Sequence, residues 1–395
     1  MTSNNIGKTQ AIKLVFWQNI PSIHQAPLLR AVAKIWPGEL TMVAENDVSD
    51  SRLAQGWARP DFLPGRLVVA PSEKEKLSIL GEKGKAVHIF SGFHAYPGTY
   101  DVFKKAIRRG HKVGVFAEPG SSGDFKSLFR RFRNQIHAVR WAGSLIFLLA
   151  TGELGVRYYS KCGFPVSKIF PFAYFVEQAN IKRAAPVYIG SWHQVDSPFS
   201  LLFVGQLIRR KGIDILLSAL SQIRSSDWVL NVVGHGEDRE ALMQSAQKKG
   251  IAEKVNWLGT LPNEKARLLT LKADCLVLPS RHDGWGAVVN EALLAGTPVI
   301  VSDACGSCDL IRDDWLGDIF LSCSSYELAN IIERRVLKGR LQSQERLRIK
   351  AWAEKAISPF SGAQYLVEII NYYHGGESGP PPIAPWQKMV EPSSL

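Results

Sequence analysis

The sequence predicts an α/β protein made of two doubly wound parallel-sheet domains that face each other across a cleft. Short, apolar strands alternate with helical patterns in both halves, which is typical of parallel sheets covered on both faces. The length of 395 residues fits two domains of roughly 150–200 residues. A stretch rich in Pro, Gly and Ser between Arg183 and Ser200 lies where such domains would join.

The second half has the clearer alternation of elements. Its predicted strands lie at 201–204, 228–233, 255–258, 275–278 and 299–301. Its predicted helices lie at 213–220, 239–249, 264–272 and 287–295, with further helical pattern over 326–373. The tail from Gly375 is rich in Gly and Pro and is predicted to be disordered.

The first half repeats the alternation less regularly. Its predicted strands lie at 12–17, 41–44, 66–69, 87–91, 113–117 and 144–149. Its predicted helices lie at 27–34, 100–109 and 126–138. The predicted units are a first domain (1–190), a second domain (191–355), a helix that crosses back (356–374) and the tail (375–395).

Composition excludes several classes of protein. Hydrophobic residues make up 46% and charged residues 21%, which excludes a mostly disordered or fibrous chain. No apolar stretch approaches the roughly 18–20 residues of a membrane-spanning helix, and residues 1–10 lack an apolar signal core. The five cysteines do not form a disulfide framework. We therefore expect a reduced, cytoplasmic protein.

The net charge of +12 is confined to the first half. Residues 1–183 hold 26 Lys and Arg against 13 Asp and Glu, whereas the remainder holds 22 against 23. From Phe125 to Gly152 there is no acidic residue. The cations of that stretch are Lys126, Arg130, Arg131, Arg133 and Arg140. Such a face suits an anionic partner, although a solvated surface without a partner has the same composition.

Apolar residues in the same stretch recur at helical spacing. Phe125, Leu128, Phe129 and Phe132 alternate with the cations, as in a basic amphipathic helix that lies on a membrane surface. The same spacing would also arise if the phenylalanines belonged to the core. Both interpretations remain open at this stage, and no nucleic-acid-binding motif is present in the sequence.

The densest motif runs from Pro279 to Ile300. A buried strand ends, a loop with two glycines follows, and a helix begins near Gly286. Glycines allow close approach of a ligand to the backbone, and a helix N-terminus attracts phosphate. Two carboxylates, Asp283 and Glu291, bracket this turn. They would repel phosphate, so we expect them to bind hydroxyls of a ribose or a sugar.

A second motif also joins a strand end to a helix start. The run Val204-Gly205-Gln206-Leu207-Ile208-Arg209-Arg210-Lys211-Gly212 places up to three cations near the cleft. Such cations can neutralise a diphosphate leaving group as its charge develops. The sequence contains no Asp-x-Asp, the pattern that often holds a metal in such sites. We therefore expect no metal and assign its role to Arg and Lys.

Residues 200–323 resemble the nucleotide-binding domain of the retaining GT-B glycosyltransferases of group 1, glycosyltransferase family 4. The resemblance rests on an ordered set of short pieces. They are Phe203-Val204-Gly205, Arg210-Lys211-Gly212, Val233-Gly234-His235-Gly236, Trp257-Leu258-Gly259, the Asp283 to Glu291 block, Ala295-Gly296-Thr297-Pro298-Val299-Ile300 and Gly306. The resemblance implies two Rossmann-like domains and a nucleotide-diphosphate sugar as donor.

The resemblance also implies roles for single residues. Arg210 and Lys211 would bind the donor diphosphate, and Glu291 the ribose hydroxyls. Asp283, where the family usually has Glu, would contact the donor sugar. The remaining donor-binding positions, by loop backbone or beside the base, are Gly205, Leu258, Gly259, Gly284, Trp285 and Gly286. The side chain of Trp285 is expected to wall the sugar pocket.

The first domain matches this family less well. No glycine occurs in the loop after its first strand, residues 17–25. Glu118 stands where the family often has a catalytic-region His, and we expect it to orient the acceptor hydroxyl or the donor sugar. His24 and His94 are rival candidates, although for each we favour a structural role. Cys305 and Cys308 form a C-x-x-C without a second pair, a weak basis for zinc.

The predicted function is transfer of a hexose from a nucleotide sugar to a glycan or lipid-linked acceptor. The resemblance implies retention of anomeric configuration, with the leaving phosphate helping to deprotonate the acceptor. Surface polysaccharide biosynthesis at the inner face of a membrane would suit the basic first domain. Two alternatives remain open: an anion- or membrane-binding protein with an inactive transferase domain, and a nucleotide-sugar epimerase.

Overall fold

The computed structural model describes residues 12–54, 59–93, 96–120, 125–177, 197–374, 376 and 379–388. Its elements form two parallel sheets flanked by helices, which confirms the predicted fold class. The predicted boundary at residue 190, His94 and the side chain of Lys126 lie outside the described part of the chain.

The first sheet has seven parallel strands in the order β3-β2-β1-β4-β5-β6-β7. Its strands are β1 Lys13–Gln18, β2 Leu40–Ala44, β3 Arg66–Val69, β4 Ala86–Ser91, β5 Lys112–Ala117, β6 Leu145–Thr151 and β7 Ile169–Phe172. The helices between them are α1 Ala26–Ile35, α2 Asp50–Ala54, α3 Glu73–Leu80, α4 Pro97–Arg108, α5 Phe125–Trp141 and α6 Gly152–Lys161. The central strands are buried on both faces, as their continuous apolar runs predict.

The second sheet has six parallel strands in the order β10-β9-β8-β11-β12-β13. Its strands are β8 Phe199–Val204, β9 Trp228–Val233, β10 Val255–Gly259, β11 Cys275–Leu278, β12 Val299–Ser302 and β13 Gly317–Phe320. Its helices are α7 Ile213–Leu220, α8 Arg239–Lys248, α9 Asn263–Lys272, α10 Ala287–Leu294, α11 Ser325–Lys338 and α12 Ser343–Ile357. In such open sheets, ligands bind beyond the carboxyl ends of the strands.

The last helix, α13 Pro359–His374, packs against α1 of the first sheet's domain. The chain then continues along the core. Ala384 and Trp386 are buried, so the prediction of a disordered tail is wrong over 379–388. The reason is a single large side chain: Trp386 buries its indole among aromatic rings that are distant in sequence.

Candidate active site

The second domain contributes two loops that meet at the carboxyl ends of β8 and β11. Arg209–Lys211 forms a short 3-10 turn, and Gly212 follows with a φ of +70°. A Cβ at Gly212 would lie 2.0 Å from the carbonyl oxygen of Pro279, so only glycine lets the turn pack this closely. Arg281 completes the junction, because its backbone N–H donates to the carbonyl of Arg210.

The cations of this turn face the loop of residues 283–286, which we call the donor loop. Lys211 Nζ lies 2.5 Å from Asp283 Oδ2, and Arg210 Nη1 lies 4.0 Å from Asp283 Oδ1. Asp283 and Lys211 are largely buried, whereas Arg210 remains 43% exposed at its side chain. The structure therefore brings Asp283 together with Lys211 and Arg210, which lie 72 and 73 positions before it in the sequence. All three were predicted to share one site.

The donor loop leads directly into α10. Its backbone is held by pairing with residues 304–307, for example Gly306 N–H to the carbonyl of Asp283 at 3.1 Å. Gly286 begins the helix with a φ of +93°, and no side chain caps the first turn. The helix therefore presents backbone N–H donors and its positive dipole end beside Lys211's partner, Asp283, which is an arrangement that suits an anion.

Glu291 lies on α10 with its carboxylate against Arg267 of α9. Arg267 Nε donates to Glu291 Oε1 at 3.3 Å, and both side chains are more than 80% buried. Burial raises the pKa of Glu291, whereas the Arg267 guanidinium lowers it. Sequence reasoning singled out Glu291 but missed Arg267, because a lone Arg on a polar helix carries no signal of its partner.

The first domain reaches the donor loop through the ends of β5 and β6. Thr151 Oγ1 donates to the carbonyl of Gly284 at 2.9 Å. The carboxylate of Glu118 covers the same glycine: a Cβ on Gly284 would lie 2.2 Å from Glu118 Oε2. A second contact joins Asp309 of the second domain to the start of α6 in the first. The Asp309 carboxylate accepts a hydrogen bond from the backbone N–H of Glu153.

Glu118 itself is exposed to the cleft and hydrogen-bonded to Tyr174. The Tyr174 hydroxyl donates to Glu118 Oε1 at 2.6 Å. Desolvation raises the pKa of Glu118 and nearby Asp283 adds to the effect, whereas the Tyr174 hydrogen bond, Arg210 and Lys211 oppose it. The structure thus places Glu118 against the donor loop, while Tyr174 went unnoticed in the sequence because nothing marks its approach to Glu118.

His24 lies beside Tyr174, with the two ring centroids 6.2 Å apart. Burial, Arg267, Arg52 and Lys211 together lower the pKa of His24 to about 4, so the imidazole is neutral near pH 7. A small, mostly apolar pocket opens between this loop and the strand ends. Its lining includes Phe16, Gln18, Leu28, Leu29, Ser91 and Phe116.

Two sequence expectations are corrected here. The side chain of Trp285 is 1% exposed and packs on Trp386, so it does not wall a sugar pocket. Leu128, Phe129 and Phe132 on α5 are 60–67% exposed, so the alternative that these side chains belong to the core is wrong. Both were ambiguous in sequence because helical or loop spacing does not show which neighbour covers an aromatic ring.

The other expected donor-binding residues lie near the same edge. Gly205 follows β8, and its carbonyl lies so close to Gly234 that a Cβ there would be 1.8 Å away. Gly259 ends β10 after Leu258, and its carbonyl accepts from Gly234 N–H at 2.8 Å. Within the described ranges, no group of three or more His, Cys, Asp or Glu residues is arranged to hold a metal.

Comparison with known proteins shows which family the second domain resembles. Residues 190–354 match the family model of glycosyl transferases group 1. This segment, less than half of the chain, is similar to the group 1 glycosyl transferases. A glycosyltransferase of Methanocaldococcus jannaschii is 26% identical over 275 residues, which cover 65% of this chain and 67% of the relative.

Further similarities of the second domain and of the whole fold agree with this resemblance. Lipopolysaccharide glucosyltransferase WaaG of Escherichia coli is 34% identical over 161 residues, 40% of each chain. Other curated relatives are likewise matched over less than two thirds of their length. The structure of Anabaena HepE in complex with UDP has a TM-score of 0.70 at 16% identity, over 91% of this chain and all of that one, which shows a shared GT-B fold.

Proposed function

We propose that the protein transfers a hexose from a nucleotide-diphosphate sugar to an acceptor, with retention of anomeric configuration. The observation that carries the proposal is the meeting of Arg210 and Lys211 with the donor loop and the uncapped start of α10. The match to group 1 glycosyl transferases supports it. So does the UDP complex of the similarly folded HepE.

In the proposed reaction, the donor diphosphate occupies the space between Lys211 and the start of α10. Lys211 and Arg210 stabilise the charge that develops on the leaving diphosphate as the bond to the sugar breaks. Glu291 accepts hydrogen bonds from ribose hydroxyls. Asp283 turns from Lys211 to the sugar hydroxyls. We assign charge stabilisation to these cations and include no metal in the proposal.

Glu118 and the small apolar pocket beside His24 are proposed to receive the acceptor. Glu118 touches the donor loop from the opposite domain, so it reaches the place where donor sugar and acceptor hydroxyl would meet. The leaving phosphate is proposed to take the acceptor proton, which is consistent with retention. The contacts of Thr151 with Gly284 and of Asp309 with Glu153 keep the domains together and exclude water from this space.

Replacing Lys211 tests the assignment. Lys211→Ala should lower the rate of sugar release from a nucleotide sugar, to acceptor or water, by about 100- to 1000-fold. Lys249→Ala, an exposed lysine at the end of α8, serves as the control and should change nothing. The wild-type donor is chosen by thermal shift against a panel of nucleotide sugars. Near-normal release by Lys211→Ala would contradict the role, and conversion of the donor without release would favour the epimerase.

We further propose that the acceptor is a lipid-linked glycan and that the enzyme docks on an anionic membrane through α5. The exposed apolar side chains of α5 form one stripe: Leu128, Phe129, Phe132, Ile136 and Val139. Asn134, His137, Ala138 and Trp141 face the core instead, on the opposite side of the helix. Arg131 and Arg140 are exposed beside the stripe. In the described residues, no helix is long and apolar enough to cross a bilayer.

The exposed face of α5 favours an anionic membrane surface as its partner, because a stripe of apolar side chains flanked by cations inserts at the headgroup boundary. The similarity to lipopolysaccharide glucosyltransferase WaaG supports a lipid-linked acceptor in surface polysaccharide biosynthesis. The alternative of a membrane-binding protein without transferase activity is separated by the sugar-release assay described above.

Vesicle sedimentation tests the docking proposal. At low salt, wild-type protein should sediment with vesicles that contain phosphatidylglycerol, and less so at high salt or with neutral vesicles. Phe129→Ser with Phe132→Ser should reduce binding at least several-fold without loss of stability, since both side chains are exposed. Leu337→Ser on α11, 74% exposed, is the matched control. Absence of binding at low salt, or equal loss in the control, would contradict the proposal.

A further inference from the structure

The segment of residues 379–388, here called the C-terminal strap, ends beneath the donor loop. Trp386 in this strap is 2% exposed. Its ring centroid lies 6.0 Å from that of Trp285, 6.1 Å from Phe175 and 6.4 Å from Tyr365. Trp386 therefore joins the donor loop of the second domain, the segment after β7 of the first, and α13.

Trp285 is the side chain through which the donor loop is anchored. Its neighbours Gly284 and Gly286 have no side chains to pack. The Trp285 indole Nε1 donates to Asn290 Oδ1 of α10 at 2.7 Å, and Asn290 is fully buried. The backbone carbonyl of Trp285 accepts a hydrogen bond from Ser307 N–H at 2.8 Å. The indole is thus buried against α10 and Trp386, while the carbonyl of the neighbouring Gly284 accepts from Thr151 of the first domain.

We infer that the C-terminal strap sets the conformation of the donor loop, with Trp386 as a positioning residue that acts through Trp285. The inference deepens the proposed function and rests on it for its catalytic consequence. Without Trp386, Trp285 loses one wall of its packing site, and a cavity would remain. The loop backbone, flanked by two glycines, would then move relative to the start of α10. Hydrogen-bond donors that are aimed at a transition state stabilise it less when they are displaced.

The geometry of the loop makes the effect specific to the donor. Within the described residues, the ring contacts of Trp386 are with Trp285, Phe175 and Tyr365 and not with the turn that carries Arg210 and Lys211. The strap reaches the site through Trp285, next to the backbone of Gly284 that Thr151 and Glu118 contact. We therefore expect loss of Trp386 to weaken use of the sugar nucleotide while the two domains stay folded.

Hydrogen exchange and kinetics on the full chain test the inference. Trp386→Ala should speed amide exchange in residues 284–290, and Trp386→Phe should restore most of the protection. Trp228→Ala is the matched control, since Trp228 is also buried, with 3% exposure. It lies at the amino end of β9, whereas the donor loop lies beyond the carboxyl end of β11. That variant should leave exchange in residues 284–290 unchanged. Equal exchange in wild type and Trp386→Ala would overturn the inference.

The kinetic arm uses UDP-glucose hydrolysis as probe. Trp386→Ala should lower kcat and kcat/KM for UDP-glucose hydrolysis by about 10- to 100-fold, with recovery in Trp386→Phe and no change in Trp228→Ala. An unchanged kcat/KM, or the same loss in Trp228→Ala, would overturn the catalytic consequence. If wild type releases sugar from no nucleotide sugar at all, the proposed function fails, and the exchange measurement still decides whether the strap positions the loop.

Discussion

At the scale of single residues, the site depends on opposite charges held close together in a largely buried cleft. Asp283 is paired with Lys211, and Glu291 with Arg267. Both members of the first pair are proposed to bind the donor, whereas in the second pair Arg267 lowers the pKa of Glu291, the proposed ribose ligand. Removing either member leaves a buried charge without its partner, so the effects of substitution should exceed those at exposed ion pairs.

Arg267 is expected to control the pH dependence of nucleotide binding. Burial raises the pKa of Glu291 and Arg267 lowers it, so Arg267→Gln should raise it further. A neighbouring guanidinium ordinarily lowers a carboxyl pKa by about 1 to 3. Only ionised Glu291 accepts two ribose hydroxyls, so on acidification the variant should lose affinity at a higher pH than wild type.

Titration calorimetry from pH 5 to 8 measures this difference. The probe is the nucleoside diphosphate of the donor selected by thermal shift, and its 2′,3′-dideoxy analogue is the control. The analogue cannot engage Glu291, so wild type and Arg267→Gln should bind it alike at every pH. Identical pH curves for the natural nucleotide in both proteins would show that Arg267 does not act through Glu291.

Several of these residues were predictable from sequence and others were not. The positions of Lys211, Asp283 and Glu291 follow from two motifs at strand ends, which parallel sheets place at one edge. Arg267, Tyr174 and Trp386 contact partners 24, 56 and 101 positions away. Their roles depend on how helices and tail pack, and no local pattern encodes that packing.

At the scale of elements, tight junctions between strands and helices fix the site. Gly212 and Gly250 both have a φ of +70°, but their surroundings differ. A Cβ on Gly212 would lie 2.0 Å from the Pro279 carbonyl oxygen, whereas a Cβ on Gly250 would meet nothing within 4 Å. Comparing substitutions at Gly212 and Gly250 therefore separates the cost of a positive φ from the cost of a steric collision.

Alanine at each glycine should give unequal losses of thermal stability. Gly250→Ala carries only the left-handed backbone penalty of about 1–2 kcal/mol. Gly212→Ala adds the collision with Pro279 and should displace the turn that carries Lys211, so it should lower Tm at least twice as far and also weaken donor binding. Differential scanning fluorimetry with and without nucleotide measures both effects. Equal shifts in the two variants would contradict the packing described for Gly212.

The elements missed by sequence analysis are short, polar or at sheet edges. β7 and β13 are four-residue edge strands whose apolar runs are interrupted, by Pro171 in β7 and by Asp318 in β13. α3 reads as a charged stretch with few apolar residues, yet Ser72 and Glu75 form a capping box that marks its start. α6 begins at Gly152, whose φ of +63° allows close contact with Gly306 of the other domain. Central strands were found because continuous apolar runs are a stronger signal.

At the scale of the whole molecule, two parallel sheets place the carboxyl ends of their strands against each other. The second domain supplies cations, the donor loop and Glu291, and the first supplies Glu118, Thr151 and an apolar pocket. α13 and the strap return to the first domain and contact both halves of the site. The alternation of strands and helices made this architecture predictable, while the route of the tail depended on one tryptophan.

The central claim is that the diphosphate of a sugar nucleotide binds between Lys211 and the start of α10. A crystal structure with the nucleoside diphosphate of the selected donor tests it most directly. We predict that phosphate oxygens lie within hydrogen-bond distance of Lys211 Nζ and of backbone N–H groups in the first turn of α10, with Glu291 on the ribose. A nucleotide bound elsewhere, with Lys211 still paired to Asp283 alone, would contradict the account.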